Sequence, residues 1–190
     1  MVGLTGCPQG STTNDTVADG GADGSSDGSG SGDAADARTI DGLGNRKNAI
    51  VLRMIRSGGV KAYQGSVSYV RAAREAGLRR AVVSSSSNCR EVLAAAGIDD
   101  LFERRIDGVV AQREQLRGKP APDMFLAGAR ALSVAPAQAA VFEDALAGVQ
   151  AGRAGGFGYV VGVDRIGQAR ELRKHGADIV VGDLAELLDS

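Results

Sequence analysis

A buried strand that ends in two carboxylates is the feature that most constrains this chain. The apolar run from Ala139 to Phe142 is followed directly by Glu143 and Asp144, and an Ala- and Gly-rich segment with helical spacing comes next. Short apolar runs of this kind are typical of strands in parallel sheets, which are buried on both faces. Open parallel sheets bind their ligands at the carboxyl ends of their strands. The pattern therefore places Glu143 and Asp144 at a ligand-binding edge.

The two adjacent carboxylates allow two interpretations. They repel each other unless a cation lies between them, and their hard oxygen ligands suit Mg²⁺. The alternative is an ordinary helix N-terminus, where acidic residues interact favourably with the helix dipole. These residues alone leave both interpretations open.

The order of apolar runs and helical stretches predicts an α/β fold. We expect a helix over Ser66–Ala76, followed by strands separated by further helical stretches, at Ala81–Ser84, Ile106–Val110, Ala139–Phe142, Tyr159–Val163 and Asp178–Val181. This alternation predicts a Rossmann-like parallel sheet with helices on both faces. The stretch that contains it has about 150 residues, the usual size of one domain.

A second polar cluster follows the first of these strands. It consists of four serines and an asparagine, Ser84, Ser85, Ser86, Ser87 and Asn88. Asn88 and Glu91 have the spacing of a capping box, which predicts that a helix begins here. Hydroxyls and free backbone N–H groups at a helix N-terminus after a strand can bind a phosphate group.

A lysine between a glycine and a proline completes the pattern. In the segment from Arg117 to Asp123, two prolines flank Ala121 and follow Gly118 and Lys119. The prolines fix an extended turn before a helix that we expect to begin near Pro122. The turn sets the position of the Lys119 ammonium, a point charge suited to phosphate oxygens.

These segments, in this order, resemble the haloacid dehalogenase superfamily and, within it, the β-phosphoglucomutase-like group. The resemblance extends from about Thr39 to Leu188. It implies a Mg²⁺-dependent phosphohydrolase or β-phosphoglucomutase that acts on a small phosphorylated sugar, a hexose phosphate, through an aspartyl phosphate.

The resemblance also assigns roles to single residues. It implies that Ser84 binds the transferring phosphoryl group and that Lys119 neutralises charge on the nucleophile and on that group. Glu143 and Asp144 would hold Mg²⁺. The neighbouring loop, Ser85, Ser86, Ser87 and Asn88, would bind phosphate. Lys47 and Asn48 resemble a pair in the late part of the cap domain that faces the sugar phosphate; the alternative is a solvated cation at a helix start.

The part of the family's pattern that reacts has no counterpart in the N-terminal region. The family's nucleophile is the first Asp of an Asp-x-Asp-Gly sequence after an apolar strand, whereas no apolar run precedes any Asp between Gly10 and Gly24. All 22 Lys and Arg residues lie at or after Arg38, and the segment before it is rich in Gly, Ser, Asp and Ala. Such a segment buries too little apolar surface to offset its ordering entropy. We therefore predict a disordered leader over 1–38, a short helical cap remnant over 39–62 and an α/β core over 63–190, with the nucleophile and the first strand missing.

Three functions remain open. The chain is a Mg²⁺-dependent phosphotransferase or phosphatase whose nucleophile is absent from this sequence, a non-catalytic phosphate- or phosphosugar-binding module, or a non-functional fragment. The isolated pairs Arg79-Arg80 and Arg104-Arg105 lack the interleaved aromatics of a nucleic-acid-binding face. No apolar stretch is long enough to span a bilayer, so we expect a cytoplasmic protein without membrane contact.

Absence of the family's first strand has a structural consequence. In the family this strand lies between the strand that ends at Ser84 and the strand that ends at Phe142. We therefore expect five parallel strands with a gap or shifted pairing near Ser84. Unpaired strand edges favour self-association.

Overall fold

The computed structural model describes residues 60–188, together with Ile50 and Arg53, which are helical. The predicted leader (1–38), most of the predicted helical cap remnant (39–62) and the pair Lys47 and Asn48 lie outside the described residues. The described chain alternates helices and strands: α1 (Gln64–Glu75), β1 (Ala81–Val83), α2 (Cys89–Ala95), β2 (Arg104–Ile106), α3 (Gly108–Arg113), α4 (Asp123–Ala131), β3 (Ala140–Glu143), α5 (Leu146–Ala154), β4 (Tyr159–Val163), α6 (Ala169–Lys174) and β5 (Ile179–Val181), with 3₁₀ turns at Asp99–Leu101, Pro136–Gln138 and Leu184–Leu187.

All five described strands pair in parallel, but they form two sheets. β1 pairs with β2, and β3, β4 and β5 form a three-stranded sheet in that order. Val83 is opposite Ile106 in the first sheet, and Glu143 is opposite Gly162 in the second. Within residues 60–188, this confirms the predicted parallel α/β fold with a break in the sheet beyond the strand that leads to Ser84.

The first core cluster joins the two sheets. Its members come from four strands and from helices α4, α5 and α6, and they include Val83, Ile106, Met124, Phe125, Val141, Val149, Val160 and Leu172. Met124 and Phe125 are almost completely buried. Because this cluster contains strand residues of both sheets, the two sheets share one apolar core.

A second core cluster lies on the opposite face of the sheet formed by β3 and β4. Phe142 and Val161 belong to it, whereas their neighbours Val141 and Val160 belong to the first cluster. Successive side chains of a strand point to opposite faces of the sheet. Helix α1 covers this second face with Val67 and Val70, so helices pack on both faces, as the sequence predicts.

The strand predicted at Ile106–Val110 is wrong in its position. β2 ends at Ile106, and the next residues form α3. Asp107 is buried, and its Oδ1 accepts a hydrogen bond from the Val110 backbone N–H at 3.0 Å. This N-cap starts a helix directly after the strand, so Val109 and Val110 are helical in spite of their β-branched side chains.

The other sequence predictions lie close to the observed elements. Helix α4 begins at Asp123, one residue after the predicted start near Pro122. The capping box predicted at Asn88 and Glu91 does not form, because the Asn88 side chain makes no capping hydrogen bond to α2.

Among the described residues, no helix combines the length and hydrophobicity needed to cross a bilayer.

Candidate functional site

The lysine and the first of the two acidic residues form a buried ion pair. The Lys119 Nζ donates to Glu143 Oε1, and the two side chains are 9% and 1% exposed. Glu143 is the last residue of β3, and its Oε2 also accepts a hydrogen bond from the Ala145 backbone N–H at 3.4 Å. The Glu143 carboxylate is therefore charge-balanced from within the protein, on the side that faces helix α5.

Helix α5 approaches this carboxylate at a glycine. A Cβ added to Gly148 would overlap the Glu143 carboxyl group. Gly148 is the third residue of α5, and glycine in a helix costs up to about 1 kcal/mol relative to alanine. The helix therefore has glycine here because the Glu143 side chain occupies the space that a methyl group would need.

The loop that carries Lys119 is held at both ends. The Arg117 side chain donates to both carboxylate oxygens of Asp123, from Nη2 to Oδ1 at 2.9 Å and from Nε to Oδ2 at 3.0 Å. The Arg117 backbone N–H also donates to Asp123 Oδ2, at 3.2 Å. On the inner side, the Lys119 Nζ lies 4.7 Å from the centroid of the Phe125 ring, within the range of a cation–π contact.

Asp144 differs from Glu143 in its charge balance. Burial of its carboxyl group, together with the negative charge of Glu143, raises the pKa of Asp144 to about 6. Arg165 and Lys119 act in the opposite direction but do not compensate. In this structure Asp144 is a partly buried carboxylate whose negative charge is incompletely neutralised.

The segment Ser84–Asn88, which we call the serine loop, follows β1. The Ser84 Oγ accepts a hydrogen bond from the Ser86 N–H, and the Ser86 Oγ accepts one from the Asn88 N–H, each at 3.2 Å. These are local side-chain-to-backbone turns. Each hydroxyl keeps its own proton for donation to a ligand. Ser85 and Ser87 are exposed.

Helix α3 braces the serine loop from the next strand. The Gly108 N–H donates to the Ser86 carbonyl at 3.2 Å, and the Ser84 N–H donates to the Ile106 carbonyl at 2.9 Å. A Cβ at Gly108 would lie 2.8 Å from the Ser85 carbonyl oxygen and 2.9 Å from the Ser87 backbone nitrogen. The conformation of the serine loop therefore requires glycine at position 108.

Replacing Gly108 by alanine should lower the free energy of unfolding by about 1–2 kcal/mol, because overpacking forces the backbone to move. Urea denaturation of both proteins measures the change. Gly118→Ala is the control, since a Cβ there meets nothing within 4 Å, and its effect should stay within about 0.5 kcal/mol. Equal stabilities of the two variants would show that the serine loop does not require glycine at position 108.

The described residues offer a partial donor set for a metal ion. Residues 60–188 contain no group of three or more His, Cys, Asp or Glu side chains placed to hold one. Mg²⁺ commonly uses only one or two carboxylates and keeps several waters or substrate phosphate oxygens. The incompletely neutralised carboxylate of Asp144, beside Glu143, fits that requirement.

Several residues that shape this region were not predicted from the sequence. Gly108 and Gly148 carry a weak signal, since a glycine next to or inside a helical pattern suggests close packing. Gln168 donates from Nε2 to the Asp144 carbonyl at 2.8 Å, across 24 positions of the chain. No local pattern could have identified that contact.

The fold and the residues at the strand ends define a class of protein: a parallel α/β protein with polar residues at the carboxyl ends of its strands. A family model described as haloacid dehalogenase-like hydrolase matches residues 32–156. The chain belongs to this family, and within it to the β-phosphoglucomutase-like group.

Individual relatives agree with this assignment. The β-phosphoglucomutase of Mycobacterium bovis is 54% identical over 159 residues, which are 82% of this chain and 61% of that protein. Hexitol phosphatase A of Escherichia coli is 32% identical over 133 residues, 68% of this chain and 57% of that protein. The chain thus spans about three fifths of the length of these relatives.

Solved structures show the same likeness. A haloacid dehalogenase family hydrolase from Deinococcus radiodurans, with bound phosphate and sodium, is similar with a TM-score of 0.62 at 32% identity. The match covers 78% of this chain and 64% of that one. A β-phosphoglucomutase from Clostridium difficile is similar with a TM-score of 0.64 at 27% identity, over 76% of this chain and 61% of that one.

Proposed function

We propose that this chain is a Mg²⁺-dependent phosphoryl-transfer domain of the β-phosphoglucomutase type that binds a phosphorylated hexose. The names of its relatives, β-phosphoglucomutase and hexitol phosphatase, support a sugar phosphate as the ligand. The chain covers about three fifths of the length of those relatives. The proposed function is therefore based only on residues that this chain contains.

The observation that carries the proposal is the buried pair of Lys119 and Glu143 next to Asp144 at the end of β3. Phosphoryl transfer depends mainly on positioning and on neutralisation of charge. The Lys119 ammonium supplies a fixed positive charge for a phosphoryl oxygen. Ser84 and the rest of the serine loop supply hydroxyl donors at the end of β1.

Mg²⁺ would be held by Asp144, with Glu143 beside it, and would neutralise negative charge on a bound phosphoryl group. Lys119 holds the Glu143 carboxylate in place. The Asp144 carboxylate then accepts the cation that its partly buried, acidic surroundings favour. These two carboxylates leave further coordination positions for water and for phosphate oxygens.

Other carboxylates at the strand ends have structural roles. Asp107 caps α3 and forms an ion pair with Arg105 at 2.7 Å. The Asp164 carboxylate accepts four backbone hydrogen bonds, and Asp183 forms a capping box with Glu186. None of these three is available to attack phosphorus, and the Asp residues of 1–38 lie outside the described part of the chain.

A second function therefore stands beside the first: a phosphate- or phosphosugar-binding module without turnover. Residues 60–188 would bind and neutralise a phosphoryl group, whereas a covalent intermediate requires a free carboxylate nucleophile. Assays of the purified chain with β-glucose 1-phosphate and with a generic phosphomonoester distinguish the two functions. If no residue before Arg38 supplies the nucleophile, turnover should be negligible and the binding module is favoured. Mg²⁺-dependent activity abolished by one Asp→Asn change before Arg38 would show that the leader supplies it.

Binding of Mg²⁺ tests the site itself. We expect a dissociation constant on the order of a millimolar, as for sites with few charged ligands, and a loss of binding in Asp144→Asn. Isothermal titration with MgCl₂, without any substrate, measures both. Identical heats for the wild type and for Asp144→Asn would remove the metal site from the proposal.

A further inference from the structure

The loop between β4 and α6 is organised around one carboxylate. Asp164 accepts backbone N–H groups at 2.7–3.3 Å from four residues, Ile166, Gly167, Gln168 and Ala169. Its own backbone N–H donates to the Val181 carbonyl at 2.8 Å, which ties the loop to β5. Gly167 has a φ of +81°, a conformation that favours glycine.

The same loop reaches the candidate metal ligand through one side chain. The backbone of Gln168 is fixed by Asp164, and its Nε2 donates to the Asp144 carbonyl at 2.8 Å. A carbonyl oxygen only accepts hydrogen bonds, so the amide must present its NH₂ group here. This hydrogen bond therefore fixes the orientation of the Gln168 amide.

Asp144 needs support from outside its own segment. It lies with Ala145 in the two-residue link between β3 and α5. Glu143 is held by Lys119 and Ala145, whereas the Asp144 backbone is held by Gln168 from the loop after the neighbouring strand. Residues that hydrogen-bond to a metal-binding group commonly fix its orientation and influence metal affinity.

We propose that Gln168 is a positioning residue that holds Asp144 in the orientation needed to bind Mg²⁺. The inference rests on the proposed function of the site. Asp164 fixes the backbone of Gln168, and Gln168 fixes the backbone of Asp144. The link that carries Asp144 is therefore already ordered before Mg²⁺ binds. In this role Gln168 acts through the Asp144 backbone and not as a metal ligand.

Gln168→Leu tests this role, since leucine has a similar size and no hydrogen-bond donor. Isothermal titration of the full chain with MgCl₂ should show an affinity about 3- to 10-fold weaker than wild type, the effect of one neutral hydrogen bond. Gln150→Leu is the matched control, because Gln150 is exposed on α5 and its replacement should leave Mg²⁺ affinity unchanged. Gln168→Ala provides a smaller side chain should the leucine variant fold poorly.

Two measurements separate positioning from a purely structural role. Urea denaturation without Mg²⁺ reports the stability of each variant, and titration reports its affinity for the metal. Reduced stability with an Mg²⁺ affinity within twofold of wild type, in a protein where Asp144→Asn loses binding, would overturn the inference and leave the proposed function intact. If Asp144→Asn itself binds normally, the proposed metal site fails and the inference fails with it.

Discussion

Replacing Lys119 by methionine should lower the free energy of unfolding by about 3–5 kcal/mol, because it leaves the Glu143 carboxylate buried without a partner. The Glu143 side chain is only 1% exposed, so water cannot replace the lost ammonium without local rearrangement. Methionine keeps most of the length of lysine, so the change removes charge rather than packing. Urea denaturation at neutral pH measures the loss.

An exposed ion pair provides the control for this substitution. Arg113 and Glu114 are joined at 2.8 Å, with side chains 69% and 42% exposed. Arg113→Met should cost less than about 1 kcal/mol, since solvent screens such pairs. The double variant Lys119→Met with Glu143→Gln should be less destabilised than the sum of the two single changes. If Lys119→Met costs no more than Arg113→Met, the buried pair does not stabilise the fold.

Buried strands could be predicted from the sequence because their apolar runs are continuous. β3 and β4 are almost wholly buried, and both lie where their β-branched and aromatic residues predict. β2 has no such run, since Arg104 and Arg105 are exposed and only Ile106 is buried. An edge strand with two charged residues leaves too little hydrophobic pattern to detect, and charges at an edge also discourage pairing with other chains.

The chemistry of the site was predictable to the extent that it is local. Lys119 is marked by the proline that follows it, and Glu143 and Asp144 are marked as carboxylates after a strand. The structure brings Lys119 and Glu143 into contact. Their roles in binding phosphate and Mg²⁺ remain predictions. The two carboxylates look equivalent in sequence, yet only tertiary contacts give Glu143 a cation and leave Asp144 poorly compensated.

Contacts between distant segments could not be predicted from the sequence. Gln168 supports Asp144, and Arg165 reaches the start of α1, where its Nη2 donates to the Ser66 Oγ at 3.0 Å across 99 positions. The Arg165 guanidinium also lies 4.0 Å from the centroid of the Tyr63 ring. These contacts follow no sequence periodicity, so only the folded chain shows that the loop after β4 is joined to Asp144 and to the start of α1.

Alanine at Gly148 should destabilise the protein by about 2–3 kcal/mol, although glycine to alanine inside a helix normally stabilises by about 0.5–1 kcal/mol. The new methyl group would overlap the Glu143 carboxylate, which cannot swing away without breaking its pair with Lys119. The substitution therefore combines overpacking with a disrupted buried ion pair. Urea denaturation gives the sign as well as the size of the effect.

Gly152→Ala, one turn later in α5, is the matched control. A Cβ there lies 3.2 Å from the Val141 and Val160 methyl groups, tight but without contact to a charged group, so the cost should be clearly smaller. The cause is tested by combining Gly148→Ala with Glu143→Ala. Once the carboxylate is gone, the methyl group has room, and Gly148→Ala should become neutral or stabilising relative to Glu143→Ala alone. An equal loss in both backgrounds would mean that the helix, and not the Glu143 carboxylate, rejects a side chain at position 148.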